Sequence, residues 1–176
     1  ALKVLLNPGD EVIVNEPCWT NYIQQIQMCE GVPVSVCCDL DNGFSLDIEK
    51  IEAAVTDRTR AIIINSPCNP TGAVLDKEVL RKLADLAKKH DLLVISDEVY
   101  KHIIFDDVEF TSIASFEGMK ERTLVMDSFS KTFAMTGFRV GYVAGPEFII
   151  SQITKLQENI CACVAMPSQY AAVAAL

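Results

Sequence analysis

Lys131 ends the run Ser128-Phe129-Ser130-Lys131, a few residues beyond a short apolar stretch that reads as a strand. An amine placed there, beside hydroxyl groups and an aromatic ring, is expected to be partly desolvated, which favours its neutral form. A neutral lysine amine condenses with an aldehyde to give a Schiff base, one way in which a side chain becomes a covalent catalyst. Taken alone, a lysine after a strand is more often a solvated surface charge. Asp97 follows the apolar run Leu92-Leu93-Val94-Ile95-Ser96 and would sit at the mouth of a sheet. A carboxylate taken out of water there needs a cationic or hydrogen-donating partner. A protonated ring nitrogen is one such partner; a helix N-cap or an ion pair is the plainer alternative.

Asn69-Pro70-Thr71-Gly72 is a turn on any reading, since proline sets one dihedral and glycine frees another. Ser66-Pro67 and Asn69-Pro70 restrain the backbone twice within five residues, which suits an amide that must be aimed at a ligand oxygen. Trp19, the only tryptophan, follows another apolar run. It could lie against a flat heteroaromatic ligand or simply pack in the core. Arg139 has the fork geometry to hold a phosphate, with Ser128 adding a hydroxyl; a surface arginine is the alternative.

The elements that would position these residues alternate along the chain. A helical turn at the start is followed by the turn signal Asn7-Pro8-Gly9-Asp10. Strands are expected at 11–14, 32–37, 60–65, 92–96, 123–126 and 140–144, with helices at 22–29, 47–55, from an Asp76 cap, and from Pro146 to about Cys161. Unbroken apolar strands separated by amphipathic helices indicate an α/β fold: a mostly parallel, doubly wound sheet with helices on both faces. In such sheets ligands bind beyond the carboxyl ends of the strands. Four polar stretches fall there: Pro17-Cys18-Trp19, Asn65 to Gly72, Asp97-Glu98-Val99-Tyr100, and Ser128 to Lys131.

Composition narrows the partners. Half of the 176 residues are hydrophobic, enough for one sizeable core, and the net charge of −9 argues against a nucleic-acid backbone as ligand. The apolar runs are strand-sized, too short to span a membrane. The seven cysteines, an odd number at irregular positions, read as reduced thiols of a cytoplasmic protein, with Cys37, Cys38, Cys161 and Cys163 as small buried hydrophobes. Neither Cys37-Cys38 nor Cys161-Ala162-Cys163 has zinc spacing, so no metal is expected. His90 and His102 lack a nucleophile pattern and read as structural or surface residues. The opening residues do not show the charged-then-apolar pattern of a signal peptide, so secretion is not expected.

Four stretches in order carry a resemblance: Asn-Pro-Gly-Asp-Glu-Val at 7–12, Asn-Pro-Thr-Gly at 69–72, Ser-Asp-Glu-Val-Tyr at 96–100, and Ser-Phe-Ser-Lys-Thr-Phe-Ala-Met-Thr-Gly-Phe-Arg-Val-Gly-Tyr at 128–142. Together they resemble the class I and II aminotransferases of pyridoxal-phosphate fold type I, from about Leu5 to the end. The resemblance implies pyridoxal 5′-phosphate as cofactor, with amino acids and 2-oxo acids as substrates. Lys131 would anchor the cofactor as a Schiff base and carry the proton of the reaction. Asp97 would face the pyridine nitrogen, Asn69 and Tyr100 the ring oxygen, Trp19 the ring face, and Ser128 and Arg139 the phosphate.

The same resemblance implies that residues 1–176 are a single large domain cut at both ends. The glycine-containing phosphate loop at a helix N-terminus would lie upstream, and a small domain with the arginine for the substrate carboxylate downstream. The full-length protein is expected to be a homodimer. Two rivals share these residues, a carbon–sulfur β-lyase and a pyridoxal-binding sensor domain of a transcription regulator. The Ser-x-x-Lys pattern of penicillin-recognising hydrolases also fits 128–131, but its companion motifs are lacking.

Overall fold

The computed structural model describes all 176 residues. Six strands form one sheet: β1 (Glu11–Glu16), β2 (Val32–Cys37), β3 (Thr59–Asn65), β4 (Leu93–Asp97), β5 (Thr123–Ser128) and β6 (Gly141–Ala144). Their spatial order is β2-β1-β3-β4-β5-β6. The first five are parallel, and β6 alone runs antiparallel, against β5. The expected α/β class and mostly parallel sheet are both present. β1 extends two residues further than its apolar core suggests and stops at Pro17, which has no N–H for the ladder. Pro33 lies in β2, the edge strand, where a missing donor is tolerated.

Seven helices complete the chain: α1 (Leu2–Leu5), α2 (Asn21–Met28), α3 (Ile48–Ala53), α4 (Lys77–Lys89), α5 (Phe129–Thr132), α6 (Glu147–Cys161) and α7 (Met166–Ala175). Side chains of a strand alternate between the two faces of a sheet, and each face has its own cover. Ile13, Ile62, Ile64 and Val94 point to one side, against Ile51 of α3 and Leu80, Leu83 and Ala87 of α4. Val12, Val14, Ala61, Ile63 and Ile95 point to the other, against Tyr22 and Ile26 of α2 and Ile149 of α6. Burial on both faces is why these strands read as continuous apolar runs.

α4 forms for local reasons as well. The Asp76 carboxylate accepts from the Glu78 N–H at 2.7 Å, as its N-cap position predicts, and Lys88 and Lys89 lie at the negative end of the helix dipole. Its apolar residues recur on one stripe, where each buried leucine contributes about 1.5–3 kcal/mol. The expected helix at 47–55 is shorter, Ile48–Ala53, with Asp47 as its cap. The polar stretch before Gly118 contributes Ile113 to the core, on a 3-10 turn at Ile113–Ser115, and Met119 just after that glycine joins it.

The seven cysteines are free. The expected burial of two pairs is corrected: Cys38 is half-buried and Cys37, Cys161 and Cys163 are exposed, because they fall on element ends and on the edge strand, while Cys18, Cys29 and Cys68 are half-buried. Burial pushes the Cys18 and Cys38 thiols up to about 11. No group of three or more His, Cys, Asp and Glu side chains is placed to hold a metal ion, and no helix is long and apolar enough to cross a membrane.

Candidate active site

The chain leaves β1 for β2 on one side and then returns to place β3 on the other. That reversal opens a crevice at the carboxyl ends of the strands. A cleft of about 350 Å³ lies there. Trp19, Asn69, Asp97, Tyr100, Ser128, Lys131 and Arg139 all line it, so every residue singled out in the sequence meets in one place. Six of them lie at or after the carboxyl ends of four different strands, and Arg139 comes from the turn that leads into β6.

Asp97 is the last residue of β4. Its Oδ2 accepts from the Tyr22 hydroxyl at 2.5 Å and its Oδ1 from the Val99 N–H at 3.2 Å. No cationic side chain pairs with it. Burial pushes its carboxyl above the usual range, and the nearby Asp127 adds to the shift, while Tyr22 and Val99 oppose it. Tyr22 is buried, and its own hydroxyl is pushed upward by burial and by the Asp97 carboxylate. Its ring meets Trp19 edge-on, with centroids 5.4 Å apart. Trp19 is 40% exposed and borders the cleft, so it is not the core residue of the plainer reading.

Asn69 follows β3 in a turn where Ser66-Pro67 and Asn69-Pro70 are both cis. Its N–H donates to Asn65 Oδ1 at 2.8 Å, while Asn65 Nδ2 donates to the Asp97 carbonyl at 3.0 Å. Asn65 thereby ties the Asn69 loop to the strand end that carries Asp97.

Lys131 stands on the single turn α5. Ser128 caps that turn, its Oγ accepting from the Ser130 N–H at 3.0 Å. The Lys131 Nζ lies 5.4 Å from the centroid of the Tyr100 ring. The expected partial desolvation is corrected: Lys131 is exposed in this chain, because nothing packs over the outer side of α5. Neither Lys131 nor Arg139 has a carboxylate partner. Arg139 adopts φ 53° and donates from Nη1 to the Thr136 carbonyl at 2.8 Å. Gly141 lets this turn close against β5: a Cβ there would sit 2.7 Å from the Asp127 carbonyl oxygen.

Several cleft residues were not singled out in the sequence. Tyr22 lies three residues after Trp19, a helical spacing that could have paired them. Asp127 also lines the cleft, and its Oδ2 accepts from Lys101 Nζ and from the Tyr142 hydroxyl, each at 2.7 Å. No sequence pattern announces that cluster, because its members come from three separate segments.

A model of the family described as aminotransferase class I and II matches residues 1–176. Among known proteins, the chain is similar to an aspartate aminotransferase of Pyrococcus abyssi, 48% identical over 175 residues, covering 99% of this chain and 45% of that one. Among solved structures it is similar to an aromatic aminotransferase from Pyrococcus horikoshii, with TM-score 0.95 and 48% identity over 97% of this chain and 46% of the other. An aspartate aminotransferase from Rhizobium meliloti matches with TM-score 0.96 and 40% identity, over 99% of this chain and 44% of the other. The chain thus spans a little under half the length of these relatives.

Proposed function

The chain belongs to the class I and II aminotransferases, and from that membership we propose that it is the cofactor-binding large domain of an enzyme moving an amino group between an L-amino acid and a 2-oxo acid. The observation that carries this reading is the convergence of seven sequence-separated residues on one cleft, with an amine and a carboxylate that both lack an ionic partner.

Pyridoxal 5′-phosphate fits that donor set. Asp97 is a buried carboxylate with two hydrogen-bond donors and no cation, the environment that a protonated ring nitrogen would complete. Asn69 and Tyr100 would donate to the ring hydroxyl oxygen and Trp19 would cover a ring face. Ser128 and Arg139 would hold the phosphate, and Lys131 would bind the aldehyde carbon covalently. When bound, this cofactor supplies a conjugated cationic ring that accepts the electron pair left as the substrate Cα–H bond breaks.

The chain's own residues then do the rest. Asp97 would be the anionic partner of a protonated ring nitrogen, and Tyr22 and the Val99 N–H orient its carboxylate. Lys131 Nζ would be the base in reach of the substrate Cα and would hold the proton taken from it. Trp19 would cover one face of a ring bound in the cleft.

We further propose that the site is completed from outside these 176 residues: more phosphate ligands and a small domain that binds the substrate carboxylate in the remaining length seen in the relatives, and a second subunit that closes the site. Such closure would also provide the desolvation of Lys131. The free cysteines support a cytoplasmic setting.

The test is an absorption titration with pyridoxal phosphate on the protein and on Lys131→Ala. A visible band that requires Lys131, bleached by an amino donor with release of its 2-oxo acid, is the expected result. Comparing aspartate with aromatic donors identifies the substrate class. Release of ammonia and a thiol from a cysteine conjugate would indicate the β-lyase instead, and no Lys131-dependent band in this chain or in a full-length protein would overturn the proposal.

A further inference from the structure

We propose that Lys101 and Asp127 form a charge-balancing positioning pair that sets the electrostatic potential at the Lys131 amine while holding the turn that carries it. The inference rests on reading the cleft as a cofactor site and adds residues that no motif marked.

Asp127 precedes Ser128 on β5, and its side chain is only 9% exposed. A carboxylate so placed is costly unless fully partnered, and three donors reach it from three segments. Lys101 Nζ arrives at 2.7 Å from the chain just after β4, the Tyr142 hydroxyl at 2.7 Å from β6, and the Ser128 N–H donates to Oδ1 at 2.7 Å. Lys101 Nζ also lies 3.5 Å from the Tyr142 oxygen. One ion pair therefore joins the segment of Tyr100, over whose ring Lys131 lies, to the Ser128 cap of α5.

The pair also has an electrostatic consequence. Asp127 borders the same cleft as Asp97 and Lys131, and unpaired it would draw a proton toward the Lys131 nitrogen. Lys101 unpaired would repel that proton. Burial works to raise the Asp127 carboxyl, but Lys101 and Tyr142 more than offset this and hold it below the usual range. Lys101 does not line the cleft, but 2.7 Å from the carboxylate its charge offsets that of Asp127. The other ionisable groups lining the cleft are Asp97, Tyr22, Tyr100 and Arg139, and Tyr142 meets Asp127 from β6.

A pair that only braces the turn and a pair that sets the potential make different predictions for Lys101→Met, Asp127→Asn and the double variant. The readout is the pH midpoint of the Lys131-dependent visible band with pyridoxal phosphate. A second readout, without cofactor, is the pH midpoint of Lys131 acetylation by acetic anhydride, followed by peptide mass spectrometry. Lys101→Met is expected to move both midpoints up and Asp127→Asn to move both down. Each shift should be about half a pH unit for one uncompensated charge across a partly solvated cleft, and the double variant should return close to the parent. Lys101→Glu should exceed Lys101→Met, which decides the sign even where Asp127→Asn does not fold. Midpoints that move in the same direction, or not at all, would overturn the proposal. A parent protein with no visible band would count against the cofactor reading alone, since the acetylation midpoints still judge the pair.

Discussion

Removing the Tyr22 hydroxyl should cost stability in a pH-dependent way. In Tyr22→Phe, Asp97 keeps only the Val99 N–H at 3.2 Å and loses the 2.5 Å bond from the phenol. A hydrogen bond to a charged group contributes about 1.5–3 kcal/mol, so the carboxyl, already raised by burial, should rise by about 1–2 further pH units. An acid whose folded pKa exceeds its unfolded value binds protons more readily in the native state. Stability therefore falls as pH rises from the unfolded value near 3.8 through the folded one, and the loss is complete above it. The variant should be about 2 kcal/mol less stable than the parent at pH 7.5, and the gap should shrink to near zero as pH approaches 3.8. Urea unfolding at pH 7.5 and pH 4, followed by circular dichroism, measures both. An equal deficit at the two values would refute the charge-linked account and leave Tyr22 as a packing partner of Trp19.

The fold and its turn are open to simpler tests. Leu83→Ala, in the fully buried stripe of α4, should cost about 2–5 kcal/mol in urea unfolding through lost contacts and a cavity. Gly141→Ala places a Cβ 2.7 Å from a backbone oxygen and should cost about 1–3 kcal/mol and weaken pyridoxal-phosphate binding; Gly137→Ala, in open space, should change neither. Glu11 is held below the usual range by the Thr56 hydroxyl, with Arg58 and Thr59 assisting, against the opposing effect of burial. Glu11→Gln should therefore lower stability at neutral pH, with the difference fading as pH falls below 4.5 and through the depressed folded pKa of Glu11.

Much of this protein is determined by the sequence alone, and for identifiable reasons. The runs at Ala61–Ile64 and Val94–Ile95 announce strands covered on both faces, and Asp76 with the Leu80, Leu83 and Ala87 stripe announces the helix between them. These are local signals, because a side chain's period follows directly from the geometry of its own element. The lining residues Trp19, Asn69, Asp97, Tyr100, Ser128, Lys131 and Arg139 were also legible, since they follow strands and sit in recognisable motifs. Only the tertiary structure decided the rest. Tyr22 looks like any aromatic on a helix until α2 packs on the sheet and aims its hydroxyl at Asp97. Lys101, Asp127 and Tyr142 look like unrelated surface residues until β4, β5 and β6 lie side by side. The exposure of Lys131 likewise depends on what covers α5, and no local pattern encodes that. Partners that meet across strands leave no periodicity in the chain, because their contact is set by sheet order and register.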